Sequence, residues 1–177
     1  MDALAWLNSA PPAEAEAALF RCCGCAGWAH AVVVARPVGS AADLMAAAER
    51  EWARASRQDI LEAFSHHPRI GDRESLKTRF PLTHGWSNEE QAEASLAAEN
   101  VLDELAQGNR EYEKRFGHIF IVCASGKTAG EMLALLGARL SNEPAFELKV
   151  AAGEQMKITR LRIERLLSEP HPTESKA

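Results

Sequence analysis

Residues 87–114 read SNEEQAEASLAAENVLDELAQGNREYEK, a stretch dominated by Ala, Glu and Leu in which Ala94, Ala98, Val101 and Leu105 fall on one face. Residues with high helix propensity and an apolar stripe at helical spacing predict one long helix from Ser87 to about Lys114. A helix of that length, in a chain with few β-branched or aromatic runs, points to an all-α fold.

The same reading extends in both directions. A short amphipathic segment, Met1 to Asn8, precedes Pro11-Pro12. A helix from about Ala13 to Cys23 is expected to put Ala17, Leu19 and Phe20 in the core. Gly24 and Gly27 bracket a turn, and the apolar run Trp28 to Ala35 ends at Arg36-Pro37. Ser40 reads as the N-cap of Ala41 to Arg54, where Leu44, Ala47, Ala48 and Trp52 recur at helical spacing. Ser56 opens another helix with Ile60, Leu61 and Phe64, and Asp72 to Arg79 suggests a short one.

Downstream of the long helix, Ile119-Phe120-Ile121-Val122-Cys123 is β-rich but too isolated for a sheet. It predicts a short buried extended segment near 118–124, whose N–H and C=O groups need partners other than a ladder, a ligand among the candidates. Helices over Thr128 to Leu140 and about Pro144 to Leu167, the second loosened at Gly153, complete the chain. The expectation is a single compact helical domain over residues 1–168 with about eight helices and a disordered tail over 169–177.

The chain has 177 residues, 46% of them apolar, 6% aromatic, with a net charge of −5 and the two signs interleaved. That length supports a hydrophobic core without staples, and the absence of a basic block argues against nucleic-acid binding. No 18-residue apolar run and no signal-peptide layout is present, which predicts a cytoplasmic protein without a membrane partner. Cys22, Cys23 and Cys25 crowd one helical turn and Cys123 sits in an apolar run, so buried reduced thiols are expected.

Chemistry concentrates at His66-His67-Pro68-Arg69-Ile70-Gly71-Asp72. Pro68 pushes His67 out of the α region, so the preceding helix ends there and the imidazole sits on a rigid corner. Histidine is the side chain that moves protons most readily near neutral pH. A metal reading would recruit His66, His67, Asp72, His84 and His118, but they lack the spacing of a metal motif. Ser87 with Glu90 three residues on forms a capping box, a device worth about 1 kcal/mol. The same residues, with Gln91, would also suit a polar ligand at a helix N-terminus. Arg139, Arg160, Arg162 and Arg165 read as helix-surface residues, any one able to clamp a carboxylate.

Taken in order, these pieces resemble the family of OHCU decarboxylases, OHCU being 2-oxo-4-hydroxy-4-carboxy-5-ureidoimidazoline. The likeness runs from about Phe20 to Leu167. It includes Ser65-His66-His67-Pro68-Arg69-Ile70-Gly71-Asp72 and Trp86-Ser87-x-x-Glu90-Gln91. Further on come Asn109-x-x-Tyr112-x-x-Arg115-Phe116-Gly117, Phe120-Ile121-Val122-Cys123-Ala124, Arg139-Leu140-x-Asn142 and Lys157-Ile158-x-x-Leu161-Arg162.

The resemblance implies a cofactor-independent enzyme of urate breakdown, all-α and homodimeric, that converts a small molecule to (S)-allantoin and CO2 with no metal. It puts the catalytic histidine at His67, with Glu90 beside it, and substrate contacts at Pro68, Ser87, Gln91 and the backbone of Ile121, Val122, Cys123, Ala124 and Ser125. The family's late arginine falls on Arg162, with Arg160 as the fallback. Two other readings remain open at this point: a metal-dependent hydrolase, and a helical ligand-binding module without catalysis.

Overall fold

The computed structural model describes residues 2–67 and 88–169, with side chains described from residue 99 onward in the second stretch. Eight helices and no strand occur among the described residues, so the fold is all-α: α1 (Ala3–Ser9), α2 (Pro12–Cys23), α3 (Ala26–Val34), α4 (Ala41–Ala53), α5 (Arg57–Ser65), α6 (Asn88–Phe116), α7 (Ala129–Leu140) and α8 (Pro144–Ser168). The chain forms two compact units, Met1–His67 with Ala152–Ala177, and Pro68–Ala151.

In the first unit, side-chain caps set the starts of α3, α4 and α5. Ser40 Oγ accepts from the Asp43 N–H at 3.1 Å to open α4. Leu44, Ala47, Ala48 and Trp52 are buried as their spacing predicts. Trp28 and Trp52 bury their rings and donate their indole N–H groups to the carbonyls of Ala48 and Ala152, each at 2.9 Å. Leu7, Leu19, Val32, Leu44 and Ile163 are completely buried in this core. Two local expectations are corrected. Ala17 is exposed, and Ala15 and Ala18 face the core instead. Gly27 lies inside α3 rather than in a turn, because the Cys25 side chain already caps that helix at Trp28 N–H.

In the second unit, Leu102, Leu105, Tyr112 and Phe116 of α6 pack with Met132 and Leu136 of α7 and with Phe120 and Val122 of the connecting segment. Gly108 gives Leu136 its room: a Cβ there would lie 2.6 Å from Leu136 Cδ2. The segment 117–124 is non-helical and buries Phe120, Ile121, Val122 and Cys123, as expected. Thr128 and Glu131 form a capping box that starts α7. α8 runs without interruption through Gly153. The short helix expected over Asp72 to Arg79 and the tail from Pro170 lie outside the described residues. Among the described residues no helix is long and apolar enough to cross a membrane.

Candidate active site

The histidine corner forms where the helix-ending signals placed it. α5 opens under a complete capping box, Asp59 N–H donating to Ser56 Oγ at 3.2 Å and Ser56 N–H to Asp59 Oδ2 at 2.9 Å. It stops at Ser65, and the N–H groups of His66 and His67 turn back to the carbonyls of Ala63 and Phe64 at 3.4 and 3.1 Å. The proline that follows in the sequence disfavours another helical residue at His67.

The end of α2 seats that corner. Gly24 takes φ +79 and donates its N–H to Phe20 O at 2.7 Å, closing the helix in the left-handed conformation that glycine accepts most readily. Glycine is needed there for a second reason, since an added Cβ would lie 2.9 Å from His66 Cβ. The ring of Phe20 meets the His66 ring edge-on at 5.0 Å.

From the corner a polar chain runs inward. His67 Nε2 lies 2.6 Å from Gln155 Oε1. Gln155 is completely buried, and its amide nitrogen donates to Cys23 O and to Thr159 Oγ1, both at 3.2 Å. Arg162 Nη1 donates to Cys22 O at 3.3 Å. The last carbonyls of α2, left without helical partners, are thus taken up by side chains of α8. Gln155, Thr159 and Arg162 are spaced i, i+4 and i+7, which at about 100° per residue stacks them on one face of α8. Arg160 projects elsewhere; it is exposed and pairs with Glu49.

The thiols in this region are inert. Burial pushes Cys22 up to about 11, with the Arg162 charge opposing. Burial pushes Cys23 up to about 12, opposed by its hydrogen bond from Thr159. A protonated buried thiol is neither a nucleophile nor a metal ligand. No disulfide joins the four cysteines, all of them buried, as expected. Cys25, Asp59 and Glu62 offer ligand atoms within 4.8 Å of one another, yet each is already engaged at a helix start. Cys25 Sγ accepts from Trp28 N–H, Glu62 from Ala26 N–H at 3.3 Å, and Asp59 from Ser56.

In the second unit, side chains fix the apolar segment by its carbonyls. Arg139 Nη1 donates to Ile121 O and Lys127 Nζ to Cys123 O, each at 2.8 Å. His118 Nδ1 approaches Ile119 O at 3.0 Å. Arg139 is not the surface residue its sequence context suggested. It is buried, donates through Nε to Glu147 Oε1 at 2.8 Å, and stacks over the Phe120 ring at 4.6 Å. Glu147, with no exposure at all, also accepts from the Tyr112 hydroxyl and from Asn142 Nδ2 at 2.6 Å. Burial and the Glu147 carboxylate together hold the Tyr112 hydroxyl protonated far above the usual phenol range. Three side chains surround the buried carboxylate, the Tyr112 hydroxyl, the Asn142 amide and the Arg139 guanidinium, and compensate its burial. Of the motif residues quoted above, Arg139 therefore holds the segment, while Tyr112 and Asn142 hold the carboxylate that pairs with Arg139.

Of the residues singled out in the sequence, His67 and Arg162 stand in the first unit, one tied through Gln155 and the other directly to consecutive carbonyls of α2. Ile121, Val122, Cys123, Ala124 and Ser125 stand in the second unit. Glu90 and Gln91 lie in the first turn of α6, which begins one residue past Ser87. Their side chains, and all of Pro68, Ser87, Asp72 and His84, lie outside the described residues. Sequence reasoning missed Gln155 and Thr159, whose only signal was a spacing shared with Arg162.

Known proteins give independent information. Residues 8–164 match the family model described as OHCU decarboxylase. The chain is 38% identical over 148 residues to the uric acid degradation bifunctional protein TTL of Arabidopsis thaliana, covering 84% of this chain and 46% of that protein. It is 34% identical over 122 residues to the 2-oxo-4-hydroxy-4-carboxy-5-ureidoimidazoline decarboxylase of Xenopus laevis, covering 67% of this chain and 66% of that one. The chain thus spans about half the length of the first relative and about two thirds of the second. Its fold is similar to a crystal structure of OHCU decarboxylase in the presence of (S)-allantoin, with a TM-score of 0.69 and 38% identity over 85% of this chain and 96% of that chain.

Proposed function

The chain belongs to the OHCU decarboxylase family, and from that premise we propose that it catalyses the cofactor-independent decarboxylation of OHCU to (S)-allantoin and CO2 in urate catabolism. One coincidence carries the reading. The histidine to which the family likeness assigns proton transfer is the one held at a helix end, 2.6 Å from a completely buried amide. The metal-hydrolase and non-catalytic readings gain no support from the relatives.

The substrate carries a carboxylate on a ring carbon next to a carbonyl-like group. Breaking the C–CO2 bond releases CO2 and leaves its electron pair on that carbon, delocalised into the ring as an enolate-type anion. His67 then delivers a proton to one face of the carbon and is reprotonated from solvent. Glu90 joins this catalytic work, gripping polar groups of the substrate together with Gln91. Pro68, Ser87 and the backbone of residues 121–125 hold the ring and ureido group. Arg162 attracts the anionic substrate through its planar fork. Orientation of the scissile bond out of the ring plane, with donors preset toward the developing anion, supplies the rate enhancement. Protonation from one side makes the product chiral. The reading includes a cytoplasmic homodimer acting on a small-molecule substrate, as the family likeness implies.

The test is circular dichroism of product formed when urate passes through urate oxidase and hydroxyisourate hydrolase. Rapid appearance of optically active allantoin with the wild-type protein, and a loss of roughly two to four decades of rate in His67→Asn, is the expected result. Slow racemic product in every reaction would refute the activity.

A further inference from the structure

We propose that Gln155 is a positioning residue for His67, holding its imidazole as the Nε2–H tautomer so that the proton the ring gains and gives up is carried on Nδ1. This rests on the reading of His67 as the proton donor, but the tautomer is open to a measurement that requires no turnover.

The argument is one of elimination along the hydrogen bonds. A backbone carbonyl can only accept, so the Gln155 atom facing Cys23 O at 3.2 Å is the amide nitrogen. The same nitrogen lies 3.2 Å from Thr159 Oγ1, which accepts its second hydrogen. The other end of the amide is then an oxygen, which has no hydrogen to give, and it lies 2.6 Å from His67 Nε2. The imidazole nitrogen must be the donor. In the neutral ring the proton therefore sits on Nε2 and the lone pair on Nδ1; in the imidazolium both nitrogens carry protons and the contact is unchanged.

Burial makes the assignment firm. Gln155 and Thr159 are both completely buried, so water is excluded as a replacement partner for a rotated amide. Rotation would set two oxygens against each other at Cys23 and two donors against each other at the N–H tautomer of His67. The neutrality of the amide has its own consequence. A carboxylate in the place of Gln155 would attract the imidazolium and resist release of its proton, whereas a neutral amide accepts from both charge states of the ring and favours the charged one far less.

The device also accounts for Cys22-Cys23-Gly24, whose backbone makes the contacts to α8. Gly24 turns the chain so that α2 ends beneath the histidine corner, and the Cys23 carbonyl orients the Gln155 amide, which orients the ring. His67 and Gln155 are 88 residues apart, and Gln155 and Cys23 are 132 apart.

The decisive measurement is the 15N spectrum of histidine-labelled wild-type protein at about pH 9, above the ordinary imidazole range, with His67 identified by its loss in His67→Asn. The Nε2–H tautomer is expected; Nδ1–H in the wild type overturns the proposal without recourse to any Gln155 variant. In Gln155→Met, which keeps the length of the side chain but cannot accept, the Nε2–H share of the ring should fall. kcat should fall about ten- to a hundredfold with KM little changed. A Gln155→Met protein that loses kcat but keeps the wild-type tautomer would show a merely structural role and sink the assignment. If wild-type protein yields no optically active allantoin, the activity reading fails while the 15N spectrum still decides the tautomer.

Discussion

Gly24 and His66 stand so close that a Cβ on the first would lie 2.9 Å from the Cβ of the second. The left-handed φ of +79 at Gly24 and this contact are two separate demands on one position. Gly24→Ala should lose about 1–3 kcal/mol of stability and displace the corner that carries His67. Gly153→Ala is the matched control: that glycine is exposed within α8 and nothing lies within 4 Å of an added Cβ. It should gain about 0.5–1 kcal/mol. Urea unfolding of both variants checks the contrast; equal shifts of the same sign would remove the special role of Gly24.

Arg162 and Arg160 lie two residues apart with different prospects. Arg162 shares its face of α8 with Gln155 and Thr159, while Arg160 is exposed beside Glu49. Arg162→Met should raise KM for the anionic substrate about ten- to a hundredfold, the worth of one charge-assisted contact. Arg160→Met should stay near the parent in both kcat and KM. Steady-state kinetics on the two variants decides, and the reverse pattern would move the substrate contact to Arg160.

Removing Arg139 should be the most damaging single change in the second unit. It would leave Glu147 charged and completely buried without its guanidinium, a loss of about 3–5 kcal/mol for Arg139→Met. Tyr112→Phe removes one donor of the three side chains around that carboxylate and should lose about 1–3 kcal/mol. Chemical denaturation ranks them, and a milder effect at Arg139 than at Tyr112 would contradict the account of the network.

Alkaline pH should loosen the first unit through its thiols. Cys22 and Cys23 ionise near 11 and 12 when folded, against an ordinary thiol value of 9.0. Below 9.0 both are protonated in the folded and unfolded chain alike, so their stabilising preference for the folded state is intact. Above 9.0 the unfolded chain releases protons that the folded chain keeps, and stability falls by about 1.4 kcal/mol per pH unit for each thiol, up to about 11 for Cys22 and about 12 for Cys23. Denaturation midpoints recorded on either side of pH 9 test the sign. Replacing both cysteines by alanine should flatten this slope.

What could be read in advance was what is local. Ser40, Ser56 and Thr128 announce their helices because a cap bonds to a residue three positions away, and Leu44, Ala47, Ala48 and Trp52 announce a face by spacing alone. The proline after His67 in the sequence announces the end of α5 by steric rules that need no tertiary context. The failures are of another kind. Ala17 and Ala18 differ only in which way α2 is rotated, a choice made by partners distant in sequence. Arg139 looks solvated until Glu147, Tyr112 and the Ile121 carbonyl are assembled around it. Gln155 and Thr159 are common helix residues whose meaning lies in Cys23 and His67, more than 80 positions away. Of the candidate site, the histidine corner at the end of α5 was legible from the sequence; Gln155 and Thr159 behind it were not.

The groups by which Cys22 and Cys23 meet Arg162 and Gln155 are carbonyl oxygens, which every amino acid possesses. The two positions are therefore interchangeable in letter and constrained in shape: any apolar residue of similar volume that completes the last turn of α2 will present the same acceptors. Gly24 enjoys no such latitude. Mutational drift at this end of the helix should accordingly be permissive at two neighbouring positions and abruptly intolerant at the third, although it is the cysteines that catch the eye.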